Sequence, residues 1–287
     1  MKRRYATAGA FRRALEDRLM AMARTENRDI QRLRREVSFD RLLARLFADK
    51  DAPWVLKGGY AMELRIKEAR ATRDIDLALS EAFGRAGSGQ LNEAILEALK
   101  TAAIADLGDY FEFSVGAPMM DLDAAPYGGA RFPVEARVDA RTFGKFHVDV
   151  GAGDAVIAPI ELIGGHDWLS FAGIPEGRFP TIPREQQFAE KLHAYTLPRK
   201  TPNSRARDLV DMLLLIESGK LERERMIEAV KITFERRRTH PLPAKLAPPP
   251  IAWEKPFATL AEGCGLSPDM AAAFAALERH FEALADQ

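Results

Sequence analysis

The segment WVLKGGYAMELRIKEARATRDIDLALS, from Trp54 to Ser80, limits the possible folds more than any other part of the chain. A short apolar run ends at the pair Gly58–Gly59, a helical pattern follows, and RDIDLAL then alternates polar and apolar residues. Glycines after an apolar run mark a tight turn, and a period of two predicts a strand. The segment is therefore predicted to fold as strand, turn, helix and strand.

The pattern of apolar residues changes twice along the 287 residues. In the first 50 residues apolar positions recur at three- and four-residue steps, which predicts two amphipathic helices. One helix among several period-two strands follows, and beyond Ala155 the patterns are helical, apart from the extended stretch PLPAKLAPPP. We predict a mixed α/β fold of the α+β class in three parts: an N-terminal helical segment (1–50), a mixed sheet flanked by helices (51–155) and a mainly α-helical C-terminal lobe (156–287).

Composition excludes several classes of protein. The 42 basic and 42 acidic residues balance, and 47% apolar content is typical of a folded globular protein. The single cysteine, Cys264, cannot form an internal disulfide, and charged residues interrupt the only candidate for a signal core. We expect a cytoplasmic protein that does not insert into a membrane. Basic residues predominate in the first 50; they form either a solvated helical surface or a surface for nucleic acid or an acidic partner.

Two aspartates form the first candidate site. Because side chains alternate along a strand, Asp74 and Asp76 are predicted to share one face, with Ile75 and Leu77 on the other. Like charges this close destabilise each other unless a cation neutralises them, and paired carboxylates suit Mg²⁺. Alternatively, both aspartates face solvent and Arg73 is their surface ion-pair partner.

The glycine pair is the second candidate. Backbone N–H groups at a helix N-terminus can hold a phosphate, and glycine lets it approach closely. An ordinary tight turn is the alternative, since Gly-Gly also occurs at 128–129 and 164–165. Together, a phosphate site and a paired-carboxylate site on strands joined by one short helix indicate phosphoryl or nucleotidyl transfer.

A third carboxylate is expected on a later strand, because two-metal displacement uses a further acid near the attacking hydroxyl. We favour Asp149 in KFHVDV over Asp139 in ARVDAR, since the neighbours of Asp149 are apolar. His147 shares the predicted strand face of Asp149 and either orients an acceptor or is an ordinary core or solvated histidine. The scattered histidines do not have zinc-site spacing.

These motifs in this order resemble the minimal nucleotidyltransferase fold of the polymerase-beta superfamily. The later stretch FAEKLHAYTLPRKTPNSRARDLVDMLLL resembles the AbiEii/AbiGii toxin family, which includes the MenT toxins: a lysine on one helix, a basic loop, then an Arg-Asp-x-x-Asp helix. The resemblance extends from about Trp54 to Leu215. It implies a nucleotidyltransferase-type sheet in the part from 51 to 155.

The resemblance also implies roles for individual residues. Those assigned to catalysis are Asp74, Asp76, Lys191 and Asp211. Those assigned to nucleotide binding are Lys57, Gly58, Gly59, Arg73 and Asp208. Those assigned to metal binding are Asp74, Asp76 and Asp149. The alternative for Lys191 is a solvated lysine, and for Asp208 and Asp211 it is ion pairing with Arg205 and Arg207.

The function implied is that of a nucleotidyltransferase toxin in a toxin–antitoxin or phage-defence pair. It would use two Mg²⁺ ions and an NTP to add nucleotides to the 3′ end of tRNA, which blocks aminoacylation and growth. Basic residues between 2 and 45 and in LPRK and ERRR would contact RNA, and the partner would be a cognate antitoxin. The alternatives are nucleotidylation of a small molecule or a protein, and a non-catalytic nucleotide- or RNA-binding module.

Overall fold

The computed structural model describes residues 4–80, 88–122, 125–198 and 205–285. The other residues, including most of the Gly/Ser-rich loop at 84–89 and Arg199 and Lys200 of the LPRK motif, lie outside the described residues. None of the helices in the described ranges is both long enough and apolar enough to cross a membrane.

Helices account for more of the described chain than strands do. They are α1 (Ala8–Thr25), α2 (Ile30–Leu46), α3 (Gly58–Arg65), α4 (Ser88–Ala103), α5 (Arg184–Thr196), α6 (Ala206–Glu217), α7 (Arg223–Arg237), α8 (Glu254–Gly263) and α9 (Met270–Ala285). The two N-terminal helices predicted from apolar spacing are both present. Asp29 caps α2, because its carboxylate accepts a 2.7 Å hydrogen bond from the backbone N–H of Arg32.

The strands form one mixed sheet. They are β1 (Trp54–Lys57), β2 (Asp74–Leu79), β3 (Phe111–Val115), β4 (Met120–Asp121), β5 (Gly129–Val138), β6 (Arg141–Gly151), β7 (Glu161–Gly164) and β8 (Arg178–Thr181). Their order is β3-β5-β6-β2-β1-β8-β7, with β4 paired to β5. The pairs β2–β6 and β1–β8 are parallel, whereas β3 and β4 on β5, and β5 on β6, are antiparallel. The α+β fold class predicted from the sequence is confirmed.

The last two strands were not predicted. Beyond Ala155 we expected helices and one extended stretch, but β7 and β8 extend the sheet. Each has four residues, and β8 contains Pro180, so neither shows the longer alternation that predicts a strand. The helix α8 was also missed.

The chain forms two compact units. The first comprises Met1–Leu56, Ala71–Gly153 and Leu162–Thr181, and the second Lys57–Arg70, Asp154–Glu161 and Ile182–Gln287. The predicted division at residues 50 and 155 stays a prediction.

The first unit has a core of sheet residues and helices α1, α2 and α4. Ile75 and Leu77 of β2 and Val148 of β6 are completely buried on the sheet. Helix α2 packs against β6 and α4 against β3. A buried ion cluster fixes α2 further, because Arg41 and Arg45 both contact the carboxylate of Asp109 at 2.6 Å.

The second unit has its own core, built by helices α5 to α9. Its fully buried side chains include Phe188, Leu192, Leu209, Phe257 and Leu277. Phe188 and Leu192 are four residues apart on α5, and buried apolar residues of the other four helices complete the core. The polar residues of α5 and α6 that carry chemistry are therefore held on helices whose opposite faces are fixed by packing.

Candidate active site

Strand pairing brings the predicted carboxylates together in the first unit. In the parallel register of β2 and β6, Asp76 is the direct partner of Asp149, and Asp74 is the partner of His147. Because partners on neighbouring strands point to the same side of a sheet, the three aspartates share one face. We call Asp74, Asp76 and Asp149 the acid row. All three are half-buried.

An arginine on the next strand bridges the acid row. Arg131 on β5 is the cross-strand partner of Asp149. Its Nε and Nη2 donate to the two oxygens of Asp149 at 2.8 and 2.7 Å, and Nη2 also donates to Asp74 at 3.1 Å. The hydrogen bond with Asp149 and the attraction of all three aspartates raise the pKa of Arg131 against the effect of desolvation. Arg131 is thus a permanent cation on the acid row.

Asp139, the competitor of Asp149, lies elsewhere. It sits with a φ of 55° in the two-residue turn between β5 and β6, and its side chain is exposed. Asp149 lies further along the same hairpin, at the register of Asp76. Geometry therefore associates Asp149, and not Asp139, with the aspartate pair.

His147 adjoins the acid row on the same strand as Asp149. Its Nδ1 lies 3.6 Å from Oδ1 of Asp74. At this distance the contact is longer than a hydrogen bond. The imidazole is nevertheless placed beside the carboxylates, as the predicted strand face required.

The donor set of the acid row fits a hard divalent cation. Carboxylate oxygens on one partly exposed face are the ligands that Mg²⁺ binds, and Mg²⁺ keeps several waters of its own. As arranged, the described residues contain no cluster of three or more His, Cys, Asp or Glu side chains ready to hold a metal ion. Arg131 donates hydrogen bonds to both oxygens of Asp149 and to one oxygen of Asp74. Loading with a metal would thus require side-chain rearrangement within a fixed backbone register.

The glycine turn belongs to the second unit. Gly58 has a φ of 68°, a left-handed conformation that a residue with a Cβ rarely adopts, and α3 begins there. The carbonyl of Gly58 accepts a 2.7 Å hydrogen bond from Nε2 of Gln187 on α5. Gly59 is buried in the first turn of α3. The turn thus combines a left-handed position that suits glycine with the N-terminal end of a helix, where backbone N–H groups can hold a phosphate.

Lys57 precedes the turn and belongs to a compact group of charges. Its Nζ lies 2.5 Å from Asp154 and 3.3 Å from Glu190. Arg237 contacts the same two acids at 2.9 and 3.4 Å. Burial alone would lower the pKa of Lys57, but attraction to Asp154 and Glu190 outweighs it and raises the pKa. We call these four residues the Lys57 cluster; its charges balance.

Lys191 on α5 is at the centre of a second group. Its Nζ lies 2.7 Å from Asp211 and 3.1 Å from Asp208, both on α6. Arg70 holds Asp211 with two hydrogen bonds of 2.9 Å, and Arg205 contacts Asp208 at 3.1 Å. Burial lowers the pKa of Lys191, but the attraction of Asp211 and Asp208 prevails and raises it. These five residues, the Lys191 cluster, contain three cations and two carboxylates.

The remaining predicted residue, Arg73, is exposed and immediately precedes β2. The structure thus brings together Asp74, Asp76 and Asp149, and separately Lys191, Asp208 and Asp211. For Asp208 and Asp211 the alternative was ion pairing with Arg205 and Arg207. The pair between Arg205 and Asp208 is present, and the other cations that contact these two acids are Lys191 and Arg70.

Sequence reasoning missed five charged residues of these groups. They are Arg70, Arg131, Asp154, Glu190 and Arg237. Arg237 was considered only as part of a basic run. A usable signal existed for Arg131, because the alternation of GARFPVEARV places it on the polar face of the strand that pairs with KFHVDV. The other four depend on contacts between distant segments.

Many arginines of the N-terminal helices have intramolecular partners. Arg28 and Arg32 contact Glu36 at 2.6 and 2.8 Å, and Arg34 contacts Glu16 at 2.7 Å. Arg12, Arg41 and Arg45 are also engaged within the first unit. Several of these arginines are therefore held in contacts within the chain.

Comparison with solved structures identifies the fold. MenT4, the nucleotidyltransferase toxin Rv2826c from Mycobacterium tuberculosis H37Rv, matches with a TM-score of 0.56 at 21% sequence identity, over 93% of this chain and 97% of that one. JHP933 from Helicobacter pylori matches with a TM-score of 0.45 at 18% identity, over 70% and 73% of the two chains. No curated protein sequence matches the chain. The fold is that of a nucleotidyltransferase.

The family follows from the sequence match. Residues 41–286 match the model of the family described as nucleotidyl transferase AbiEii toxin, type IV toxin–antitoxin system. The chain belongs to this AbiEii family. It is a nucleotidyltransferase toxin whose family uses an NTP and a divalent metal and implies an antitoxin partner.

Proposed function

We propose that the chain adds nucleotides from an NTP to the 3′ end of tRNA in a reaction that depends on Mg²⁺. Addition at this end would prevent aminoacylation and so stop growth until a cognate antitoxin counteracts it. The observation that carries the proposal is the register of β2 and β6, which places Asp76 beside Asp149 on one sheet face. Nucleotidyl transfer needs such a set of carboxylates.

The acid row would hold two Mg²⁺ ions through Asp74, Asp76 and Asp149. When bound, the ions would stabilise charge on the α-phosphate and on the attacking and leaving oxygens. In the transfer, the acceptor 3′-oxygen forms a bond to the α-phosphorus and the bond to pyrophosphate breaks. Asp149 helps to activate the 3′-hydroxyl by accepting its proton.

Residues of the second unit would bind the triphosphate. Gly58 and Gly59 offer backbone N–H groups at the start of α3, and Lys57 lies beside them. The Lys191 cluster has one more cation than carboxylates, which suits a phosphate. Within it, Lys191 and Asp211 take the catalytic roles and Asp208 orients Lys191. Arg73 is proposed as a further nucleotide contact because its exposed side chain precedes Asp74.

The charged surface of the N-terminal helices bears on which acceptor the chain uses. The Arg-rich helices were expected to bind RNA, but several of their arginines are engaged in internal ion pairs. This observation favours the second candidate, transfer to a small molecule or a protein. A non-catalytic binding module is less consistent with an acid row that is held in register on two strands.

The test uses the purified chain with Mg²⁺, each α-labelled NTP in turn and total tRNA. Wild type is compared with Asp149→Asn and with Asp139→Asn, a matched control from the same hairpin. We expect label on the tRNA 3′ end with wild type and Asp139→Asn, and none with Asp149→Asn. Label that resists ribonuclease but is lost with protease would show that the acceptor is a protein and not tRNA.

Two results contradict the proposal. Absence of label on tRNA with every NTP would reject tRNA as the acceptor. Full activity of folded Asp149→Asn would reject the role of the acid row.

A further inference from the structure

The guanidinium of Arg131 lies where a divalent cation would be needed. It forms a fork on Asp149, with hydrogen bonds of 2.8 and 2.7 Å, and reaches Asp74 on another strand at 3.1 Å. Planar, two-pronged pairing of this kind is the strongest ion pairing that an arginine makes with a carboxylate. One cation therefore joins two of the acids assigned to the metal.

The backbone fixes this arrangement. Arg131, Asp149 and Asp76 occupy one row across β5, β6 and β2, each being the direct partner of the next. Hydrogen bonds of the sheet hold the three Cα positions. Exchange of the guanidinium for another cation would thus involve side chains alone.

The ion pairs of Arg131 with Asp74 and Asp149 are accessible to solvent. The side chains of Arg131 and Asp74 are 29% and 28% exposed, and that of Asp149 is 13% exposed. A hydrated ion can reach the oxygens that Arg131 holds. Since each of these oxygens already accepts a charge-assisted hydrogen bond, a metal ion must compete for it.

We propose that Arg131 is the internal counter-ion of the acid row and that a divalent cation displaces it on binding. The proposal rests on the proposed function, which assigns the metal to Asp74, Asp76 and Asp149. Arg131 then acts as a positioning residue. It keeps the carboxylates together against their mutual repulsion before the metal arrives, and it sets the metal concentration at which the site fills.

The direction of one measurement distinguishes this role from a structural one. If Arg131 only supported the site, its removal would weaken metal binding. If it competes with the metal, its removal strengthens binding. We expect Arg131→Gln to bind Mn²⁺ about three- to tenfold more tightly than wild type, because one partly exposed charge-assisted pair no longer opposes the ion.

The experiment titrates the full chain with Mn²⁺ without nucleotide, following free Mn²⁺ by electron paramagnetic resonance. Arg137→Gln is the matched control, because Arg137 lies on the same strand and pairs with Glu135 at 3.0 Å. It should bind Mn²⁺ as wild type does. Arg131→Lys keeps the charge without the fork, so its affinity should lie between those of wild type and Arg131→Gln.

Thermal unfolding provides a second readout. Without metal, Arg131→Gln should melt at a lower temperature than wild type, since the acids then repel each other with less compensation. Saturating Mn²⁺ should raise its melting temperature by more than it raises that of wild type. If Arg131→Gln does not fold, Arg131→Lys is compared with wild type instead. Tighter Mn²⁺ binding by Arg131→Lys would support the proposal, and unchanged or weaker binding would contradict it.

Failure of this proposal can be separated from failure of the proposed function. Mn²⁺ binding that is lost in Asp149→Asn but not tightened in Arg131→Gln would overturn the counter-ion role and leave the metal assignment standing. If neither wild type nor Arg131→Gln binds Mn²⁺, both proposals are wrong.

Discussion

The acid row of the first unit and the Lys191 cluster of the second contain similar side chains but differ in exposure and in charge balance. Three carboxylates face one bridging arginine in the acid row, and the side chain of Asp74 is 28% exposed. In the Lys191 cluster two carboxylates face three cations, and the side chain of Asp211 is only 1% exposed. The first group has an excess of negative charge near solvent, and the second has an excess of positive charge around two buried carboxylates.

The difference follows from what holds each group. Sheet hydrogen bonds fix the acid row, so its carboxylates stay close although their charges repel. Lys191 lies on α5 and the two carboxylates lie on α6, so the ion pairs between their side chains connect the two helices. We therefore expect substitutions in the acid row to affect mainly activity, and substitutions in the Lys191 cluster to lower stability in addition to activity.

The largest effect on stability is expected from Asp211→Asn. The carboxylate holds Lys191 at 2.7 Å and Arg70 through two hydrogen bonds, and its loss leaves an uncompensated buried charge. Breaking a buried pair in this way costs about 3 to 5 kcal/mol of the free energy of unfolding. Urea denaturation would measure it. Glu217→Gln, an exposed acid at the end of the same helix, is the control and should change stability little.

The opposite behaviour is expected for Asp76→Asn. Loss of one carboxylate from the acid row should lower kcat by more than about 100-fold, because even groups that only support a metal ligand are worth 10- to 100-fold. The free energy of unfolding should fall by less than about 1 kcal/mol, since the residue is half-buried among like charges. A large loss of stability in this variant would contradict the separation between the two groups.

Lys191→Met tests whether the Lys191 cluster also has a role in binding. Both carboxylates keep another cation, because Arg70 remains on Asp211 and Arg205 on Asp208. We expect kcat/KM for the NTP to fall about tenfold, as for the loss of one charge-assisted contact to phosphate. Lys231→Met, on α7, is the control. Unchanged kcat/KM in a folded Lys191→Met variant would restrict the cluster to a structural role.

Local pattern was sufficient to predict part of this arrangement. The period of two in RDIDLAL and KFHVDV predicts which side chains share a strand face, since alternation is a property of the strand itself. The switch from apolar run to glycines to helical pattern likewise predicts the turn at Gly58. These features need no knowledge of distant residues.

The partners of the charged residues could not be predicted in the same way. The register of β2 against β6, and the bridge from Arg131, depend on strands that lie more than 50 residues apart in the chain. Counting charges showed an Arg-rich N-terminus but not that Glu16, Glu36 and Asp109 hold several of its arginines in ion pairs. The short strands β7 and β8 are stabilised by their neighbours in the sheet and not by their own sequence.

The smallest predicted effect is a pH dependence of stability that arises from a histidine of the second unit. His193 on α5 is buried, and its Nε2 lies 2.9 Å from the hydroxyl of Thr239. Burial, and then repulsion by Arg237 and His240, lowers its pKa to about 3, although Asp154 opposes this. The unfolded chain takes up this proton near pH 6.5. Between these values the unfolded state binds more protons, so stability is complete above pH 6.5 and falls as the pH is lowered.

The effect should reach about 1 kcal/mol in the free energy of unfolding between pH 7 and pH 5.5, because one proton contributes at most about 1.4 kcal/mol per pH unit. Urea denaturation of wild type and His193→Gln at both pH values would measure it. The variant should lose most of the pH dependence in this window. Burial also lowers the pKa of His240 and His280. If the free energy of unfolding of His193→Gln keeps the pH dependence of wild type, these two histidines take up the proton instead.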